Sequence, residues 1–254
     1  MDLQHSSSRR SRANALTDRQ SERQTWLLKM RAEWFRVLRP LGGWVPWELR
    51  ELVEQSAEPG GAPFWGEGIV KEAPQLGEEH LRNCMVLPTR THILRRFPKG
   101  GIVAEVGVLH GEFSREIVEI VSPTELHLID QYLEPRARAL ASDPGGYIHL
   151  HEGDSADTLE AFPDEYFDWI YIDAQHSYEG VRRDIAVCRR KVKKTGLMLF
   201  NDYIPWSYVE MQPYGVMAAV NELCIDDGWE IVYLALPPHM YCDVALRRVP
   251  LNRT

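Results

Sequence analysis

Three oxygen-bearing side chains lie at the ends of two apolar segments of the sequence. Asp173 ends the segment 167–173, and Asn201 and Asp202 follow the segment 197–200. If both segments are neighbouring parallel strands, these ends meet at one edge of a sheet. Two carboxylates and an amide suit Mg²⁺ or a similar divalent cation, which can lower the pKa of a substrate hydroxyl and orient it. We therefore predict a metal site at Asp173, Asn201 and Asp202. The alternative is that Asp173 caps the next helix and Asn201-Asp202 is a polar turn.

An imidazole accompanies these groups, because His176 lies three residues after Asp173. The unperturbed pKa of histidine is about 6.5, so a neutral ring can accept a proton at physiological pH. We predict that His176 and Asp173 are catalytic, with His176 as a general base. In the alternative interpretation, His176 bonds only to solvent or backbone at the start of a helix.

A glycine-containing turn between the first strand and the first helix is the strongest local signal for a bound cofactor. It contains Glu105, Gly107, Gly111 and Ser114 in the order E-x-G-x-x-x-G-x-x-S. The glycines allow the backbone to pass close to a ligand, and Ser114 is expected to be the N-cap of the helix. The pattern differs from the G-x-G-x-x-G turn that binds a pyrophosphate. We predict that all four residues bind a cofactor, although such glycines also serve turns alone.

Two further carboxylates follow later strands. Asp130 ends the second strand, where an acid can accept hydrogen bonds from both hydroxyls of a ribose. Asp154 and Ser155 follow the third strand, where a carboxylate can accept the amino group of an adenine. Each acid alone is compatible with an ordinary loop residue. Because both lie at the carboxyl ends of strands, where open α/β sheets bind ligands, they reinforce one another as cofactor-binding residues.

Strand and helix patterns alternate regularly after residue 101. The predicted helices are 114–121, 178–194 and 215–227, with Gly228 as the C-terminal cap of the last. The predicted strands are 102–106, 125–130, 147–151, 167–173, 197–201, 230–234 and 243–248. Such alternation indicates a mostly parallel sheet with helices on both faces. The connection at residues 237–240 is too short for a parallel crossover, so the last two strands are expected to pair antiparallel. The fold class is therefore α/β: a Rossmann-like seven-stranded sheet of five parallel strands and a C-terminal antiparallel hairpin.

Residues 101–248 resemble the class I S-adenosylmethionine-dependent methyltransferases. Within that class they resemble the branch of small-molecule and sugar O-methyltransferases, whose layout is related to the catechol O-methyltransferases. The segments that carry the resemblance are Glu105-Val106-Gly107 with Gly111, Ile129-Asp130, Gly153-Asp154-Ser155, Tyr171 to Tyr178, and Asn201-Asp202-Tyr203.

The resemblance implies S-adenosylmethionine as cofactor, with Asp173 beside its methyl group. It also implies a base at the position of His176 and Mg²⁺ or another divalent cation at Asp173, Asn201 and Asp202. The chain has Asn-Asp where the catechol enzymes have Asp-Asn.

The N-terminal third differs in composition from the rest. Residues 1–22 are polar and are expected to form a flexible tail, and residues 23–87 are expected to form a helical, tryptophan-rich lid or extension. The cofactor-binding domain is expected to span residues 88–254. In the alternative interpretation, residues 23–87 are only a helix and a loop that pack against that domain.

The composition of the 254 residues limits the partners. The formal net charge of −8 argues against nucleic acid as a main partner. No apolar run is long enough to cross a bilayer, and the first residues do not resemble a secretory signal, so we expect no membrane partner and a cytoplasmic location. The four scattered cysteines indicate buried thiols. Exposed-looking aromatic residues favour a homodimer.

The sequence leaves three classes of function open. The primary hypothesis is O-methylation of a hydroxylated small molecule, a sugar or a secondary metabolite, assisted by a divalent cation and the His176 base. A metal-independent N- or carboxyl-methyltransferase keeps the cofactor and changes the acceptor. The other classes are an NAD(P)-dependent oxidoreductase, which the missing G-x-G-x-x-G turn disfavours, and a non-catalytic module that binds S-adenosylmethionine.

Overall fold

A computed structural model describes residues 70–142 and 145–249. Most of these residues belong to the compact unit formed by Gly68–Ser207 and Gln212–Thr254. The predicted tail at 1–22 and nearly all of the predicted extension at 23–87 lie outside the described residues.

Alternating helices and strands make up the unit, as the sequence predicts. The helices are α1 Glu78–Leu81, α2 Arg90–Leu94, α3 Glu112–Val121, α4 Pro135–Arg138, α5 Ser155–Glu160, α6 Tyr178–Lys191 and α7 Val216–Asp227, with a 3₁₀ helix at Ala139–Ser142. The strands are β1 Met85–Leu87, β2 Ile102–Val106, β3 Glu125–Asp130, β4 Ile148–Glu152, β5 Phe167–Ile172, β6 Val192–Phe200, β7 Trp206–Ser207, β8 Gln212–Pro213, β9 Trp229–Ala235 and β10 Asp243–Arg248.

Eight of these strands form one sheet in the order β1-β9-β10-β6-β5-β2-β3-β4, and β7 and β8 form a separate short ribbon. Strands β2 to β6 are parallel, and β10 runs antiparallel to both β6 and β9. The predicted Rossmann-like sheet with a C-terminal antiparallel hairpin is confirmed. The sheet has one strand more than predicted, because β1 pairs parallel with β9 at the edge. This strand has three residues, two of them exposed, and therefore gives little periodic signal.

The core is divided between the two faces of the sheet. Helices α5, α6 and α7 cover one face, where Ala104 and Val106 of β2 and Ile170 of β5 point. Helices α2, α3 and α4 cover the other, where Val103 and Trp169 point. This alternation is the period of two that a strand covered on both sides must show. With both faces covered, the carboxyl ends of the strands are left open to a ligand.

The element boundaries differ most from the predictions in three places. Helix α3 begins at Glu112, two residues earlier than predicted, because Gly111 is the N-cap. Helix α6 ends at Lys191, and the following residues already belong to β6, which begins at Val192 instead of residue 197. The sheet also takes in residues 85–87, which precede the expected start of the domain at residue 88.

The four cysteines are free thiols. Cys188, Cys224 and Cys242 are buried, as predicted, whereas Cys84 is only partly buried. Among the described residues, no helix combines the length and apolar character needed to span a bilayer.

We expect the Gly107→Ala variant to be far less stable than Gly228→Ala. Both glycines have a positive φ, 86° for Gly107 and 67° for Gly228, so each substitution costs about 1–2 kcal/mol in backbone strain. At Gly228 an added Cβ meets nothing within 4 Å, whereas at Gly107 it lies 2.0 Å from the carbonyl oxygen of Asp173. Thermal unfolding of the two variants should show the difference. Equal melting temperatures would contradict the close approach at Gly107.

Candidate active site

A cleft of about 630 Å³ lies at the carboxyl ends of β2, β3 and β5. The predicted site residues that line it are Glu105, Gly107, Asp130, Asp154, Ser155, Asp173 and His176. The other four, Gly111, Ser114, Asn201 and Asp202, are not part of its wall. Seven of its lining residues carry a carboxyl group, so the cleft offers hydrogen-bond acceptors to hydroxyl and ammonium groups of a ligand.

The turn after β2 is held against the ends of the adjacent strands by backbone hydrogen bonds. The Gly107 amide donates to the carbonyl oxygen of Ile129 at 2.9 Å, and the Asp173 amide donates to that of Val106 at 2.7 Å. No residue with a Cβ fits at position 107, because of its positive φ and its contact with the Asp173 backbone. The glycine therefore brings three strand ends together at the floor of the cleft.

Asp130 fixes the same turn from the side of β3. Its Oδ2 accepts hydrogen bonds from the amides of Val108 at 2.7 Å and Leu109 at 3.2 Å, and its Oδ1 accepts one from the amide of Tyr132. A carboxylate has about four lone-pair sites, so these bonds leave acceptor capacity for a ligand. The residue predicted to bind a ribose is thus also a structural support of the glycine turn.

Glu105 is buried in the cleft wall, with 1% of its surface exposed. Its Oε2 has no hydrogen-bond partner among the described residues. Burial raises the pKa of this carboxyl to about 8, against the effect of the nearby Ser114 hydroxyl. The group is therefore largely protonated at pH 7, and a cationic group entering the cleft would favour its ionised form.

The prediction that Ser114 is the N-cap of helix α3 is wrong. Ser114 lies inside α3 and is fully buried, and Gly111 takes the N-cap position with φ 77°. A Cβ at Gly111 would lie 2.9 Å from a methyl carbon of Leu140, so the glycine allows α3 to approach the 3₁₀ helix. Gly111 and Ser114 therefore lie on the side of the turn that faces away from the cleft, and they do not line its wall.

Asp154 and Ser155 form hydrogen bonds with side chains of helix α6. Asp154 is the N-cap of α5, accepting the Asp157 amide, and it also forms a bidentate ion pair with Arg183 at 2.8 Å for both oxygens. The Asp157 amide and then the Arg183 guanidinium lower the pKa of Asp154. The Ser155 hydroxyl donates to the buried Asp184 at 2.5 Å. Both residues line the cleft, but their polar atoms are already used to join α5 to α6.

The predicted catalytic and metal-binding residues lie together around the imidazole of His176. Its Nε2 is 3.4 Å from Oδ1 of Asp173 and 3.7 Å from Oδ2 of Asp202. The amide nitrogen of Asn201 donates to Oδ1 of Asp173 at 2.8 Å. The His176 ring stacks on Tyr214 with centroids 4.4 Å apart and an angle of 5° between the planes. The ring nitrogen therefore lies between two carboxylates that belong to the tips of β5 and β6.

Three residues of this arrangement were not predicted. Arg90 of α2 donates to the Tyr171 hydroxyl at 2.9 Å, and Tyr171 donates to Oδ2 of Asp173 at 3.0 Å. Tyr214 supplies the stacking surface for His176. Arg90 was missed because it precedes every motif in the sequence. Tyr171 was missed because its position is that of an ordinary residue of a buried strand. For Tyr214, the only sequence signal was its place in the loop after β6.

Asp243, at the start of β10, is a further buried acid near the site. Burial raises its pKa to about 8, opposed by the charge of Arg90 and reinforced by those of Asp202 and Asp173. Arg90 thus lies in the field of several carboxyl groups, which raise the pKa of its guanidinium against the effect of its burial. No sequence pattern connects Asp243 with the tips of β5 and β6.

Comparison with known proteins agrees with this geometry. Residues 104–203 match a family described as a methyltransferase domain, and the match includes the glycine turn, Asp130, Asp154 and the His176 cluster. The match covers 100 of the 254 residues, and over this range the chain is similar to a methyltransferase domain.

Solved structures of similar fold are known. The 1,6-didemethyltoxoflavin-N1-methyltransferase of Burkholderia thailandensis, with its substrate and S-adenosylhomocysteine bound, superposes with a TM-score of 0.51 at 13% identity. The alignment covers 63% of this chain and 76% of that enzyme, and it supports the fold of the methyltransferase domain.

Two further structures give TM-scores of 0.48. The pyocyanin biosynthetic protein PhzM is 16% identical, and 63% of this chain aligns with 54% of it. The calicheamicin-biosynthesis methyltransferase CalO1, with S-adenosylhomocysteine bound, is 21% identical, and 62% of this chain aligns with 52% of it. The chain thus spans about half the length of these two neighbours. No curated protein matches the chain.

We expect the Asp243→Asn variant to gain stability over the natural chain as the pH rises. The carboxyl has a pKa of about 8 when folded and about 3.9 when unfolded, so the folded chain holds a proton that the unfolded chain releases. Its contribution therefore falls as the pH rises from about 4 to 8. An amide does not titrate, so the variant does not lose this contribution. Between pH 5 and 9, its free energy of unfolding relative to that of the natural chain should rise by at least ~1 kcal/mol.

Urea unfolding at several pH values provides the measurement. Asp226→Asn is the control, because Asp226 is exposed on α7 whereas Asp243 is buried. Stability curves of Asp243→Asn and the natural chain that stay parallel across this pH range would contradict the burial of a protonated Asp243.

Proposed function

We propose that this chain methylates a hydroxyl group of a small molecule, with S-adenosylmethionine as methyl donor and His176 as the general base. The observation that carries the proposal is the position of the His176 imidazole between the carboxylates of Asp173 and Asp202. A hydroxylated sugar or secondary metabolite is the proposed acceptor class, since a cleft of about 630 Å³ is in the usual range for small-molecule sites.

The cofactor is assigned to the half of the cleft built by β2 and β3. Gly107 removes the side chain that would otherwise block the floor, and Asp130 retains acceptor capacity for ribose hydroxyls. The buried Glu105 carboxyl is proposed to receive the ammonium group of the cofactor. Because Glu105 Oε2 has no partner among the described residues, an ammonium ion would give it the hydrogen bonds that burial denies it.

The chemistry requires an oriented hydroxyl and a proton acceptor. The acceptor oxygen attacks the methyl carbon as the carbon–sulfur bond breaks, the bonding pair passes to sulfur, and the sulfonium becomes a neutral thioether. The hydroxyl proton passes to His176, whose positive charge the carboxylates of Asp173 and Asp202 then stabilise. Stacking on Tyr214 and the Asn201–Asp173 hydrogen bond fix the ring and its partner before the reaction.

The predicted divalent cation is given no step in this proposal. The amide of Asn201 presents its nitrogen, and not its oxygen, to Asp173, and the His176 ring lies between the two carboxylates that would coordinate the ion. Within the described ranges, the one cluster of three His, Cys, Asp or Glu side chains with ligand atoms mutually within 4.8 Å is elsewhere, at Glu125, His127 and His149. Magnesium at Asp173, Asn201 and Asp202 stays a prediction from the sequence.

We expect S-adenosylhomocysteine to bind more tightly as the pH rises toward 8. Glu105 carries a proton below its pKa of about 8, and binding of an ammonium group would expel that proton. The affinity should therefore rise by up to about tenfold per pH unit between pH 6 and 7.5 and level off above 8. Calorimetric titration at several pH values measures this slope.

Glu105→Gln should bind more weakly and lose most of the slope, whereas Glu112→Gln, also in the cleft wall, should keep it. A slope unchanged in Glu105→Gln would move the ammonium group to another residue. No binding of S-adenosylhomocysteine to the folded chain at any pH would remove the proposed function.

We expect His176→Gln to lower kcat by about 10²- to 10⁴-fold while the affinity for S-adenosylhomocysteine changes little, because the variant removes the proton acceptor and not the cofactor contacts. Screening hydroxylated sugars and phenols for methyl transfer provides the assay. Tyr214→Phe is the matched control, since it keeps the stacked ring and should retain activity.

EDTA should leave the rate of the natural chain unchanged. A complete loss of activity in EDTA that magnesium restores would favour the metal prediction over the His176 base.

A further inference from the structure

A second group of ionisable side chains lies on β3 and β4, apart from the cleft. His127 and His149 are in register on adjacent strands, and Glu125 and His151 extend the same face by two residues. Three residues of β3, or about 10 Å, separate His127 from Asp130 at the cofactor end of the strand. None of these four side chains contributes to the proposed methyl transfer.

The ligand atoms of three of these residues converge. One atom each from Glu125, His127 and His149 lies within 4.8 Å of the other two. Ligands at tetrahedral zinc are about 3.4 Å apart, given bonds of about 2.0–2.1 Å. His149 is partly exposed, so a small rotation of its ring can close the remaining gap.

The surrounding side chains hold the group in place. His127 is 5% exposed and packs edge-on against Phe162 and Phe167 at ring distances of 4.9 and 5.6 Å. Its Nδ1 lies 3.0 Å from Nε2 of His151, and its Nε2 lies 3.4 Å from Oε2 of Glu125. The Tyr166 hydroxyl donates to the same Glu125 oxygen at 2.8 Å.

In metal sites, the side chains that bind the ion are commonly held in place by hydrogen bonds to neighbouring residues, and the contacts around His127 and Glu125 are of this kind. When one ring nitrogen of a histidine bonds to a neighbour, the tautomer is fixed and the other nitrogen is directed at the metal. His151 can serve as that neighbour for His127, and Tyr166 does so for Glu125.

We propose that Glu125, His127 and His149 bind a divalent transition-metal ion, with zinc as the best fit, at a site separate from the cofactor cleft. Two imidazoles and one carboxylate form a donor set that zinc accepts, with water in the fourth position, and they are too rich in nitrogen for magnesium or calcium. The ion joins β3 to the edge strand β4. The site is independent of the proposed methyltransferase activity.

The test is a zinc titration of the full chain after removal of metals with a chelator. We expect binding at micromolar or lower concentration, and a rise of about 5 °C or more in the melting temperature at a hundredfold excess of zinc over Kd. His149→Gln should weaken binding at this site by at least about tenfold, and it spares the fold because His149 is only partly buried.

Two variants locate the ion. His239→Gln removes an exposed histidine between β9 and β10 and should bind zinc as the natural chain does. His176→Gln tests the cleft: if it abolishes zinc binding and His149→Gln does not, the ion belongs to the cleft and the proposal is overturned. Cobalt absorption spectra of the natural chain and His149→Gln provide a second readout of imidazole ligation.

His149→Gln should also bind S-adenosylhomocysteine with unchanged affinity. Retained cofactor binding together with lost zinc binding supports two separate sites. Zinc binding that is absent from the natural chain, or equal in the natural chain and His149→Gln, would show that the cluster is held by hydrogen bonds alone and would refute the proposal.

Discussion

The close approach of backbone to backbone at Gly107 is the constraint on which the candidate site depends. There the chain leaves β2 and passes so near the end of β5 that the carbonyl oxygen of Asp173 occupies the place of a side chain. Hydrogen bonds to Ile129 and from Asp173 lock the crossing. Because the turn cannot move outward, the acids of β3 and β5 face the same space. A side chain at this one position would both fill the cleft and separate the strands that form it.

A second constraint is electrostatic. Glu105, Asp173, Asp202 and Asp243 lie near one another at the strand tips, and Arg90 is the guanidinium whose charge opposes theirs. The molecule keeps this concentration of acids partly by leaving the most buried ones protonated, which costs less than burying several like charges. Asp173 and Asp202, by contrast, lie beside the His176 ring. The protein thus separates carboxyl groups that support the fold from those able to stabilise a developing positive charge.

Much of this arrangement could be predicted from the sequence. The strands Ile102–Val106 and Glu125–Asp130 match the prediction to the residue because turn residues border them and their side chains alternate. The acids at strand ends followed from the topology. What local patterns could not show were long-range partners: Arg183 on Asp154, and Arg90 reaching β5 through Tyr171. Such contacts depend on how helices pack across the sheet, and no periodicity of one segment contains that information.

The position of β10 has a consequence for biosynthesis. This strand, the last described element of the chain, lies in the interior of the sheet between β6 and β9. A nascent chain that has not yet reached Asp243 therefore has an open edge at β6, and β9 and β1 have no sheet to join. Such an intermediate exposes unpaired backbone groups that invite pairing with other chains. The sheet can therefore close only after residues 243–248 have emerged from the ribosome.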